Sequence, residues 1–290
     1  MSTRKLVLHI GLPKTATTFL QHYIMKPAIG DRFIHRKLGD RARLICRCFR
    51  EYAASDDTTC KSHLEMIRAQ LITYDTKTSN DKTIIVSDEN ISGRGIQFWH
   101  GRGPGPKQVS ARLAALGQSL KDCFPTLRVI IGIRRQDQWL ASRYAECSTD
   151  FDTFSQSDFS PRIETIAQLD PLGPVFDWLD YYKVYSLFSQ ALGRDNVFMC
   201  SVERLRAEPE STLKDLGEFV DERNFTQVFD TLIEEGVNVI RNKLSSGNNT
   251  WSLRRDRSAL WLSPELQKVI LTRFAESNKA LDRLVPIHFT

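Results

Sequence analysis

The chain has 290 residues, 41% of them hydrophobic and 26% charged, with a formal net charge of +5. That length and mix fit one enzyme-sized α/β domain, and the charge is too small and scattered for a nucleic-acid partner while suiting a polyanionic small ligand. No stretch approaches the roughly eighteen apolar residues of a membrane span, and the N-terminus runs straight into an apolar strand without a leader, so a cytoplasmic enzyme is expected.

In chain order, an apolar strand is expected over 5–10. It leads through His9-Ile10-Gly11-Leu12-Pro13-Lys14-Thr15-Ala16-Thr17-Thr18 into a helical pattern over about 16–26 that stops at Pro27. A loop between strand and helix can aim backbone N–H groups at an anion. Lys14 adds a mobile full charge there, and Thr15, Thr17 and Thr18 add hydroxyls. The nucleoside-triphosphate motif G-x-x-x-x-G-K-[ST] fails here, because no glycine precedes Lys14. A weak strand near 32–35 and a helix over 60–73 follow. A third apolar run, Thr83 to Ser87, then leads into Asp88-Glu89-Asn90.

Residues 93–107 are irregular, glycine-rich and carry only positive charges, with Phe98 and Trp99 among them. Such a loop reads either as a lid over a ligand, with Trp99 stacking on a sugar face or an aromatic ring, or as a mobile connector. A helix over 107–122 precedes the almost unbroken apolar run Leu127 to Ile133, as expected of a buried parallel strand. Arg134 and Arg135 follow it, and a helix over 136–147 carries Ser142 and Tyr144. An arginine fork makes paired charge-assisted bonds to phosphate oxygens. Trp178, Tyr181, Tyr185, Phe188 and Leu192 form a core-facing stripe before a strand at 196–200. Leu213, Leu216 and Val220 mark another helical face. A polar loop over 242–262 contains Arg254 and Arg255, and Ser263-Pro264 caps a closing helix lined by Leu266, Ile270, Phe274 and Leu281.

This order implies one domain over 1–290: a three-layer α/β/α architecture around a central parallel sheet, with its ligand beyond the carboxyl ends of the strands. Lys14 and Arg134 each follow such an end, so both are expected to face one crevice. The six cysteines, at 46, 48, 60, 123, 147 and 200, show no framework or zinc spacing, so reduced thiols and no metal are expected.

The Pro13-Lys14-Thr15-Ala16-Thr17-Thr18-Phe19-Leu20 run resembles the 5′-phosphosulfate loop, P-K-[TS]-G-T-[TS]-x-L, of the PAPS-dependent sulfotransferases. PAPS is 3′-phosphoadenosine-5′-phosphosulfate, the sulfuryl donor. Ala16 stands where the family has glycine, and the loop is expected to survive if Ala16 keeps φ below zero. Arg134, with Ser142 eight positions on and Tyr144 two beyond, matches the family's 3′-phosphate segment; Arg135 is the alternative if the turn is shifted. The segment Val202 to Phe219 is similar to the one after the family's last core strand.

The resemblance implies a P-loop-NTPase-like sulfotransferase fold, with the nucleotide held by Lys14, Thr15, Ala16, Thr17, Thr18, Arg134 and Ser142. It also implies transfer to the hydroxyl of a small-molecule or carbohydrate acceptor. Lys14 would stabilise the leaving phosphate. Glu89 would be the base, as in the carbohydrate-type enzymes, with Asp88 as substitute because strand alternation sends neighbours to opposite sides. No histidine occupies the base position of the phenol and steroid enzymes; His9, inside the first strand, reads as core. A late basic loop often returns over the 3′-phosphate in this family, which makes Arg254 or Arg255 candidates. Two other readings stay open: a phosphotransferase with a degenerate nucleotide loop, and a non-catalytic nucleotide-binding module.

Overall fold

The computed structural model describes residues 4–55, 60–75, 83–92, 95–150, 153–235, 245–247 and 249–289. Its central sheet has five strands: β1 (Lys5–His9), β2 (Phe33–His35), β3 (Ile84–Ser87), β4 (Thr126–Ile133) and β5 (Val197–Ser201). They lie in the order β2-β3-β1-β4-β5, and every pairing is parallel.

Between β1 and β2 run α1 (Thr17–Phe19), a π-helical stretch Leu20–Met25 and α2 (Lys26–Ile29). Helices α3 (Asp40–Ala54) and α4 (Cys60–Asp75) lead to β3, and α5 (Gly95–Trp99) and α6 (Pro106–Ser119) to β4. Helices α7 (Gln136–Cys147), α8 (Gln156–Gln168) and α9 (Tyr181–Leu192) precede β5. Then come α10 (Val202–Ala207), α11 (Pro209–Val220) and α12 (Asn224–Glu234). A small antiparallel sheet of β6 (Ser245–Gly247), β7 (Thr250–Ser252) and β8 (Ala259–Trp261) is followed by α13 (Pro264–Asp282).

Strand alternation divides the core into two. Leu6, Leu8, Ile84, Val86, Val129 and Ile131 pack with Phe49, Leu113, Trp139 and Phe188 on one face. Val7, Ile85 and Ile130 pack with Phe19, Leu213, Leu216 and Phe225 on the other. The expected three-layer α/β/α arrangement results, because each strand is apolar on both sides and must be covered twice. Burying each large apolar side chain contributes about 1.5–3 kcal/mol, so both helical layers are needed for the sheet to exist in water.

Three differences from the sequence reading have physical causes. The first helix does not stop at Pro27. The π-helical stretch Leu20–Met25 runs directly into α2, so the helical run continues through Pro27. Helix α3, not expected from the sequence, buries Ala42, Ile45, Cys46, Phe49, Tyr52 and Ala53 at spacings of three and four between its arginines. The 242–262 segment is not simply a loop, because β6, β7 and β8 lie in it; positions 242–244 and 248 are outside the described residues. Among the described residues, no helix is long and apolar enough to cross a membrane.

Candidate functional site

The loop after β1 is held by backbone contacts before any side chain acts. Ile10 N donates to the Ile130 carbonyl and Leu12 N to the Gly132 carbonyl, each at 3.0 Å, so the chain stays paired with the β4 side past the end of β1. Gly11 and Gly132 meet at this point. A Cβ on Gly11 would lie 2.5 Å from Gly132 N, and one on Gly132 would lie 2.5 Å from Thr15 Oγ1. Thr15 Oγ1 donates to the Leu12 carbonyl at 2.5 Å, which closes the loop but engages the hydroxyl hydrogen expected to face a ligand. From α7, the indole of Trp139 donates to the Pro13 carbonyl at 2.6 Å and fixes the loop from the side.

Lys14 (φ 68°) and Ala16 (φ 58°) both adopt left-handed backbone around Thr15. The condition set for Ala16, a φ below zero, is therefore not met. The turn needs left-handed geometry there, and alanine adopts it at a strain of about 1–2 kcal/mol. Left-handed residues in a turn can make backbone N–H groups converge into an anion-binding concavity. Thr17 is buried and Thr18 exposed at the helix start.

Lys14 is half-buried, with Nζ 3.8 Å from Glu146 Oε1 on α7; Glu146 is also ion-paired with Arg143. Burial lowers its pKa, Arg143 and Arg134 lower it further, and Glu146 and Glu89 counter them. Lys14, Arg134 and Glu89 thus share one electrostatic neighbourhood, as their positions after β1, β4 and β3 require.

Arg134, directly after β4, is 4% exposed. Its backbone is held on both sides: Tyr181 Oη donates to its carbonyl at 2.7 Å, and the next N–H, of Arg135, donates to Glu203 Oε1 at 3.1 Å. Its guanidinium reaches Gln138 Oε1 at 3.3 Å through Nη2, while its buried Nε has no hydrogen-bond partner. Burial brings its pKa down to about 10 against the pull of Glu203. Arg135 differs, because its Nε and Nη2 clamp Asp137 at 2.8 and 3.0 Å. Of the two arginines, Arg134 therefore has donors to offer. Ser142 is fully buried in α7.

Asp88 and Glu89 separate clearly. The strand ends at Ser87, and Asp88 caps the following 3-10 turn by accepting from Asn90 N at 3.0 Å. Its other oxygen lies 3.4 Å from Arg50 Nε, and the side chain is buried. Glu89 sits on the turn instead, with Oε1 3.6 Å from Arg36 Nη2. Ser92 ties this turn to the β1 loop: its Oγ donates to the Glu89 carbonyl at 2.8 Å, with the Gly11 carbonyl at 3.3 Å.

The 93–107 segment is not the open aromatic lid expected. Positions 93 and 94 are outside the described residues, and α5 follows at once. Phe98 and Trp99 are buried; the Trp99 ring packs edge-on against Phe98 and Tyr144. Trp99 is a core residue, while Arg102 stays exposed. Nor do Arg254 and Arg255 come down by Arg134. Arg254 N donates to the Ala145 carbonyl and Arg255 N to Ser148 Oγ, about 15 Å along α7 from its start. Near that start it is Asn249, whose Oδ1 accepts from Gln138 Nε2 at 2.9 Å. Gln138, Asn249 and Trp139 were not singled out from the sequence.

One face of the sheet carries a neutral row at the same strand ends. His9, Ser87 and His35 are register partners across β1, β3 and β2. His9 Nδ1 lies 2.7 Å from Ser87 Oγ, which also accepts from Gln21 Nε2 at 2.9 Å. Burial, with the other histidine charges, lowers the His9 and His35 pKa values to about 4 each, so both rings are neutral at pH 7. As read from the sequence, His9 is a core residue.

No protein-family model and no curated protein matches this sequence. The crystal structure of a sulfotransferase from Alicyclobacillus acidocaldarius matches it at 14% identity with a TM-score of 0.53, over 99% of this chain and 97% of that one. Sulfotransferase STF9 from Mycobacterium avium is a looser likeness, at 12% identity and a TM-score of 0.35 over 95% and 76% of the two chains. The chain thus shares the fold of the Alicyclobacillus sulfotransferase along nearly its whole length.

Proposed function

We propose that the protein transfers the sulfuryl group of PAPS to an acceptor hydroxyl. The observation that carries this reading is Arg134, a buried cation that keeps an unpartnered Nε. It follows the strand next to the one bearing the Lys14 loop. A buried guanidinium without a clamping carboxylate fits a phosphate, because charge-assisted donors then replace the lost water. Arg134 is assigned to the 3′-phosphate, with Ser142 in the helix wall behind it. The left-handed loop at Lys14 and Ala16 is assigned to the 5′-phosphosulfate.

When bound, the donor supplies the sulfuryl group and 3′,5′-ADP as leaving group. Lys14 turns from Glu146 to the bridging oxygen and stabilises the negative charge that grows there as the S–O bond breaks. Glu89 takes the proton of the acceptor hydroxyl while the acceptor oxygen forms its bond to sulfur. Asp88 is assigned no chemical step, because capping the turn and pairing with Arg50 hold it away.

Calorimetry with 3′,5′-ADP, 5′-ADP and ATP, each with and without Mg²⁺, tests the reading. Metal-independent binding of 3′,5′-ADP at least about tenfold tighter than 5′-ADP is expected. A preference for Mg²⁺–ATP would favour a phosphotransferase instead.

A further inference from the structure

Glu203 has no part in the transfer chemistry, yet it stands beside the arginine assigned to the 3′-phosphate. It is the second residue of α10, directly after β5, and β5 is the strand next to β4. One carboxylate oxygen, Oε1, accepts the Arg135 N–H at 3.1 Å; the other, Oε2, is buried and has no hydrogen-bond partner among the described residues. Arg134 repeats this pattern with the opposite charge. Its Nη2 donates to the neutral amide of Gln138, while its Nε is buried without a partner. The two side chains form no ion pair, but each feels the charge of the other.

The other charged and titratable groups around this pair are committed. Asp137 of α7 is clamped by Arg135 Nε and Nη2 at 2.8 and 3.0 Å, and by Gln267 Nε2 of α13 at 2.8 Å. Tyr181 of α9 gives its hydroxyl hydrogen to the Arg134 carbonyl, and burial raises its pKa well above the usual phenol value. Arg206 of α10 is exposed and adds positive charge. Burial pushes the Glu203 carboxyl up, against the pull of the Arg135 N–H and of the Arg134 and Arg135 charges. Two buried, unpartnered atoms of opposite charge each cost free energy, which their mutual attraction partly offsets. A phosphate on Arg134 ends that balance, because it brings nearly two negative charges toward a carboxylate whose Oε2 has no donor.

We propose that Glu203 is the resident counter-charge of Arg134, and that it takes a proton from solvent onto Oε2 when a phosphate monoester docks on that guanidinium. Glu203 is thus a positioning residue with two tasks. Its Oε1 holds the Arg134–Arg135 peptide throughout, while its Oε2 lets the pocket receive a dianion without building up negative charge. The inference rests on the assignment of the 3′-phosphate to Arg134, and it ties the affinity for that phosphate to pH.

Calorimetry on the full chain at about pH 7.5, in bis-Tris and in Tris, counts protons from the different ionisation heats of the two buffers. The ligands are 3′,5′-ADP and 5′-AMP, which share the 5′-phosphate, so protons exchanged around Lys14 cancel in the difference. Their phosphates are already dianions there, with a second pKa near about 6. Binding of 3′,5′-ADP should take up about half to one proton more than 5′-AMP. Its advantage over 5′-AMP should then fall about three- to tenfold per pH unit between pH 7 and pH 8.5. Arg134, with a pKa of about 10, stays charged over that range. Glu203→Gln keeps an oxygen for the Arg135 N–H but has no charge to lose, so the extra proton should vanish and the advantage become flat with pH. A purely structural Glu203 would give equal proton counts for the two nucleotides in the unsubstituted protein. That result, or an extra proton that survives in Glu203→Gln, overturns the proposal and leaves the sulfuryl-transfer reading standing. If 3′,5′-ADP binds no better than 5′-AMP at any of these pH values, the 3′-phosphate assignment itself falls, and this inference with it.

Discussion

The turns after β1 and β4 lie side by side, yet they handle charge in opposite ways. The β1 turn uses left-handed backbone and a half-buried lysine loosely set against Glu146 at 3.8 Å. The β4 turn has an ordinary backbone, with Arg135 at φ −48°, and a buried guanidinium whose carbonyl and neighbouring N–H are both tied down. A loosely held cation can follow charge as it moves during a reaction. A fixed one recognises charge that is already there. Under the proposed function, the first turn would serve transfer and the second selectivity.

The largest expected effect breaks the mobile half. Lys14→Ala should lower kcat by about 10²–10³, as removal of one transition-state donor does, while the Kd for 3′,5′-ADP changes less. Stopped-flow transfer assays and calorimetry on the same variant check the split. Arg134→Ala should do the reverse. Its preference for 3′,5′-ADP over 5′-ADP should fall by about ten- to a hundredfold, measured by calorimetry, as expected for loss of hydrogen bonds to a charged group.

A third test sets both cationic turns against the neutral row at the neighbouring strand ends. His9 and His35 have folded pKa values of about 4 against the ordinary histidine value of 6.5. Between those two values the unfolded chain binds protons that the folded chain refuses. Stability should therefore fall as pH is lowered through that window, by about 2 kcal/mol for each ring between pH 7 and pH 5. Urea midpoints at the two pH values measure it.

The smallest effect sharpens the backbone half of the comparison. Ala16→Gly should raise stability by about 1 kcal/mol in urea unfolding, because glycine accepts φ 58° without the strain that alanine bears. Ala16→Val should lower it.

The sheet was legible in the sequence because its strands are unbroken apolar runs, and Lys14, Glu89 and Arg134 stood out because they follow those runs. What escaped depended on distant contacts or imposed geometry. The φ of Ala16 could not be judged from the size of a methyl group, since the loop's bonds to Gly132 and Leu12 dictate it. Trp99 looked exposed in a glycine-rich segment, but Tyr144, 45 positions away, covers it. The choice between Asp88 and Glu89 required knowing that alternation ends at Ser87, where a cap takes over. Asn249 and Trp139 carry no motif; their places come from α7 meeting the β7 side and the loop after β1 in space.

The contact of Gly11 with Gly132 has a further consequence. Peptide rests directly on peptide between the two turns, with no compressible side chain to act as a cushion. Under the proposed function their separation would act as a rigid gauge, so a nucleotide whose charged ends are spaced one phosphate too long or too short would engage one turn at the expense of the other.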